Sequence, residues 1–134
     1  MAQQTYDAMV PVMGAYQEKN CCTVVALAAA LDWSFGKAHR HMAKHGRKQG
    51  KGMYIKDWLP AIKDAARKEG KHFVGRSHIG VGMTLTRFAK TYPTGTYYVQ
   101  VKRHAICIRD GQLIDWTAST AGRRKIISVF KLEV

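Results

Sequence analysis

Asn20-Cys21-Cys22-Thr23-Val24-Val25-Ala26-Leu27-Ala28-Ala29-Ala30-Leu31 decides how the chain is read, because from residue 23 onward no charged side chain marks a wet face. A helix that is apolar all round is enclosed by the fold rather than laid on its surface. Asn20 is expected to cap it and residues 23–31 to form its body. The apolar run is far shorter than the ~20 residues a membrane span needs, so no membrane-spanning segment is expected and protein must supply the enclosure. A chain of 134 residues suits a single domain, 1–134, built around that helix.

Outward from this helix, Ser34 is placed to cap a second one running to about residue 45, with Phe35, Ala38 and Met42 inward and Gly46 as its stop. A third helix is expected over residues 56–69, with Trp58, Leu59, Ile62, Ala65 and Ala66 inward, Pro60 tolerated near the first turn and Gly70 at the end. The period then changes. His72, Phe73 and Val74 suit a short strand, Thr84 caps a brief helix over 85–90, and residues 92–95 form a turn. Residues 97–102, 104–109, 112–116 and 125–132 read as strands, with Asp110-Gly111 as a hairpin turn. Helices first and an antiparallel sheet second define an α+β domain.

Cys22 falls at the start of the enclosed helix, where unpaired backbone N–H groups and the positive end of the helix dipole favour a thiolate. Further along, a two-residue turn at Asp110-Gly111 sets Ile106 opposite Asp115 and His104 opposite residue 117. His104 and Asp115 then share a sheet face as diagonal neighbours, roughly 7 to 8 Å apart at Cβ. A carboxylate beside an imidazole fixes its tautomer and stabilises the imidazolium, the orienting role in a Cys-His-Asp triad.

The segment Lys19-Asn20-Cys21-Cys22-Thr23-Val24-Val25-Ala26-Leu27, followed by Gly95-Thr96-Tyr97-Tyr98-Val99, by His104-Ala105-Ile106-Cys107-Ile108 and by Asp110-Gly111-Gln112-Leu113-Ile114-Asp115, resembles papain-like cysteine peptidases. The likeness is to the small bacterial and phage-encoded members related to the bacteriocin-processing peptidase domains of ABC exporters. It implies a papain-like fold and a thiol hydrolase with Cys22, His104 and Asp115 as triad. Cys21 and Cys22 both stand near the nucleophile position, and Cys22 is the one that aligns with the Cys-Thr-Val-x-Ala-Leu run. The family's oxyanion-hole glutamine commonly lies six residues before the cysteine; here Tyr16 holds that place and Gln17 is one residue nearer. Gln17 is the amide donor the resemblance offers. It implies a protein or peptide substrate and does not separate peptidase from isopeptidase, amidase or acyltransferase.

Charge offers a rival. The net charge is +13, and residues 34–76 carry twelve Lys or Arg against Asp57, Asp64 and Glu69. Such a stretch suits an anionic partner, nucleic acid or an acidic protein. Arg47, Lys48 and Lys51 are expected in a glycine-flanked loop that reaches it, with Tyr54 and Trp58 near enough to stack, although core packing suits Trp58 better. The alternative to an enzyme is therefore a basic adaptor that keeps the fold with little or no catalysis. His41 and His45 share a helix face at a spacing that can ligate zinc, but no Cys, Asp or Glu joins them locally, so neither a metal nor another cofactor is expected. Cys107 reads as a core thiol. Three cysteines with no CxxC pair, and an N-terminus without the basic and apolar stretches of a signal peptide, suit a reducing cytoplasm.

Overall fold

The computed structural model describes residues 21–48, 50–76, 79–114 and 121–134. Among them are helices α1 (Cys22–Leu31), α2 (Phe35–Lys44), α3 (Ile55–Lys68) and α4 (Leu85–Thr91). Strands β1 (His72–Gly75), β2 (Thr96–Val101), β3 (His104–Arg109), β4 (Gln112–Ile114) and β5 (Ile126–Glu133) form one antiparallel sheet in the order β1-β5-β2-β3-β4. The chain is α+β, and no helix among the described residues is long and apolar enough to cross a membrane.

Two apolar layers hold the sheet. On one face α1, α2 and α3 pack through Leu27, Phe35, Met42 and Ile62 against Tyr98, Ala105 and Cys107. On the other, Leu85 and Phe88 of α4 meet Val99, Ile106, Ile108 and Val129. Every residue of α1 after Cys22 is buried, as its all-apolar sequence requires. Removing its large side chains from water contributes on the order of 25 cal/mol for each Å² of apolar surface.

The caps follow local chemistry. Ser34 and Thr84 each accept a hydrogen bond from the backbone N–H three residues on, at Lys37 and Arg87. The N-cap of α1 is Cys21, whose side chain makes no capping hydrogen bond, in place of the expected Asn20, which lies outside the described residues. α3 begins at Ile55 and ends at Lys68, one residue earlier at each end than expected.

Asp110 and Gly111 both have positive φ, 48° and 79°, as a type I′ hairpin turn requires. The register is Arg109↔Gln112, Ile108↔Leu113 and Cys107↔Ile114, which is that of a two-residue loop. Asp110 is fixed further: its Oδ1 accepts from the Gly95 N–H at 2.9 Å, and its own N–H donates to the Gly95 carbonyl at 2.9 Å.

Candidate functional site

A cleft of about 700 Å³ opens where the start of α1 meets the β2–β3 end of the sheet. Cys22 and Thr23 come from α1, Gln100 from β2, and His104 and Ala105 from β3. The loop between α2 and α3 supplies Lys51 to Tyr54, α3 supplies Ile55 and Trp58, and the β2–β3 turn supplies Arg103.

The start of α1 is pinned from the sheet. Tyr98, wholly buried on β2, donates its hydroxyl to the Thr23 carbonyl at 3.1 Å, and burial holds its phenol well above its usual range. Trp58 stacks on Tyr98 with ring centroids 5.1 Å apart and meets Phe130 edge-on at 5.9 Å, so it serves the core while bordering the cleft. At the other end of α1, the buried Arg109 guanidinium donates to the Ala29 carbonyl, a cation set against the negative end of the helix.

The adjacent cysteines diverge. Cys21 is 1% exposed and belongs to the core, whereas Cys22 is half-buried and borders the cleft. Cys107 is fully buried among the helix-layer residues, and burial pushes its thiol up to about 12. Ala105 and Cys107 face the helix layer while Ile106 and Ile108 face α4, so strict alternation would send His104 toward α4. His104 instead borders the same cleft as Cys22 because it is the first residue of β3, beside the turn. The neighbouring β2–β5 register shifts at this same end, between Gln100 and Val101. Asp115 and Gln17 lie outside the described residues.

The expected basic loop divides. Lys48 and Lys51 are exposed, and Lys51 borders the cleft. Arg47 is 6% exposed, contrary to the expectation that it reaches a partner. Its N–H donates to the Met42 carbonyl, folding the chain back on the end of α2 before the loop begins.

His41 and His45 also acquire a neighbour that local sequence does not provide. Asp64 of α3 lies 3.2 Å from His45 Nε2, and the candidate ligand atoms of all three residues fall within 4.8 Å of one another. His41 Nε2–H donates to the Ala61 carbonyl at 2.8 Å, and Lys68 Nζ donates to His41 Nδ1 at 3.2 Å while lying 4.0 Å from Asp64. The ammonium already supplies positive charge between the imidazole and the carboxylate, and Lys37, Arg40 and Lys44 line a shallow hollow together with His41 and Lys68. The cluster is a hydrogen-bonded seam between α2 and α3.

Residues the sequence reading did not single out include Arg103, Met53, Gln100 and Tyr98. Arg103 carried one available signal, since it occupies a tight connection between two strands where glycine is usual. Compared with known proteins, the chain matches no family model, no curated protein and no solved structure.

Proposed function

We propose that the chain is a thiol hydrolase of the papain-like kind, acting on the acyl carbonyl of a protein or peptide. The observation that carries this is the shared cleft: Cys22, first residue of an enclosed helix, and His104, first residue of β3, border one open space. His104 takes the Cys22 thiol proton, and the sulfur attacks the carbonyl carbon. Collapse of the tetrahedral adduct breaks the C–N bond, and the imidazolium returns the proton to the leaving amine. Water then hydrolyses the thioester with His104 as base. The Cys22 backbone N–H, free of an intrahelical partner at the first turn, is one oxyanion donor, with the Gln17 side chain as the second. Asp115 orients the imidazole.

The test uses a peptide p-nitrophenyl ester with Cys22→Ala, His104→Ala and Asp115→Asn. Loss of turnover by two orders of magnitude or more in the first two, with a covalent acyl adduct at Cys22 in the wild type, supports the reading. Turnover unchanged by Cys22→Ala overturns it.

A basic adaptor is the second reading, favoured by the cations Lys37, Arg40 and Lys44 along α2 next to Lys68 of α3. It predicts duplex binding whose log affinity falls steeply with log salt and is indifferent to Cys22→Ala.

A further inference from the structure

Two separate excursions of the chain help line the cleft, and each brings a cation. Lys51 stands on the α2–α3 loop, Arg103 on the β2–β3 turn, and no Asp or Glu is among the described residues that border the cleft. A chain with 22 basic and nine acidic residues leaves many cations without a carboxylate, so lack of an ion pair at these two would mean little alone. Their placement on two segments distant in sequence that line one cleft with the candidate nucleophile is more specific.

Arg103 adds a backbone argument. Its φ is +60°, in the left-handed region that glycine enters freely and a residue with a Cβ enters at a cost. The β3–β4 hairpin puts glycine at the equivalent second turn position, Gly111 with φ +79°. The β2–β3 turn carries an arginine there instead, immediately before His104, so a long cationic side chain borders the cleft against the local backbone preference. Met53, Ile55 and Tyr54, the last 79% exposed, line the same cleft and add apolar surface to it.

We propose that Lys51 and Arg103 make this cleft selective for acidic peptides, with a carboxylate side chain flanking the scissile bond and an apolar residue next to it. The proposal rests on Cys22 as the nucleophile of the hydrolase reading. Two cations lining the cleft that Cys22 borders attract a negative group toward the sulfur.

Iodoacetate and iodoacetamide test this without a known substrate, because both alkylate sulfur with loss of iodide and differ in charge. The readout is the ratio of their rate constants at Cys22, followed by mass spectrometry, relative to the same ratio for glutathione. At low ionic strength the Cys22 ratio is expected to exceed the glutathione ratio at least fivefold. Lys51→Gln and Arg103→Gln each lower it about threefold, Arg103→Lys restores it, and 0.5 M salt collapses it. A ratio equal to that of glutathione, a ratio unchanged in both Gln variants, or a Cys22 inert to both reagents overturns the proposal. A raised ratio that falls only with His104→Ala also overturns it, since the charge is then the imidazolium, and leaves the hydrolase reading standing. If the ratio follows Lys51 and Arg103 while His104→Ala changes neither rate, charge selection holds and the His104-assisted hydrolase reading fails.

Discussion

The Tyr98 hydroxyl donates to the Thr23 carbonyl at 3.1 Å, joining the middle of β2 to the first turn of α1, one residue beyond Cys22. Tyr98→Phe keeps the ring packing on Trp58 and Phe73 but removes this bond. The expected loss is about 1 kcal/mol of stability, read from urea midpoints. The Cys22 end of the helix should also loosen, seen as faster amide exchange over the first turn of α1. Unchanged exchange would assign the bond to global stability alone.

The three thiols should separate cleanly. In the folded protein iodoacetamide is expected to label Cys22 first, because Cys21 and Cys107 are buried and the Cys107 thiol is pushed up to about 12. Labelling of the latter two should appear only with denaturant. Comparable native labelling of Cys107 would contradict its placement in the core.

Burial lowers His41 from its ordinary range, with the Ala61 carbonyl opposing and the Lys68 charge assisting. The unfolded chain therefore takes up a proton at this site near pH ~6.5, before the folded chain does. Stability is complete above that pH and declines as pH falls below it toward the folded value. Urea midpoints measured from pH 7 down to pH 5 should fall, and His41→Gln should flatten the slope. A slope that persists in His41→Gln places the titration elsewhere.

The Trp33 indole donates to Glu69 Oε1 at 2.7 Å, and this bond is the main reason the Glu69 carboxyl is held below its usual range, with Lys37 adding to it. Trp33→Phe is expected to raise the Glu69 carboxyl toward the ordinary glutamate value, as followed by carboxyl NMR titration. An unmoved titration would transfer the effect to Lys37.

Arg103→Gly should stabilise the fold by about 1 kcal/mol, because glycine removes the left-handed strain at φ +60°. Thermal denaturation checks this. A loss of stability would show that the Arg103 side chain, rather than its backbone, holds the turn.

Local chemistry was enough for whatever depends on residues a few positions apart. Ser34 and Thr84 cap because a hydroxyl reaches an N–H three residues on, and Asp110-Gly111 sets the β3–β4 register because both residues accept positive φ. The all-apolar pattern of residues 23–31 likewise requires enclosure wherever the partners come from. Packing decided the rest. Cys21 and Cys22 are neighbours of one type, and only the way α1 seats on Tyr98 turns one into the core and the other to the cleft. Arg47 looks like a loop cation until its backbone folds onto Met42, and Asp64 reaches His45 only because α2 and α3 lie side by side. Lys51 and Arg103 share a cleft because a loop and a hairpin turn, distant in sequence, converge beside α1. Helical and strand periods record which face is apolar but not which other element will cover it, so a site assembled from several elements is written in the contacts between them.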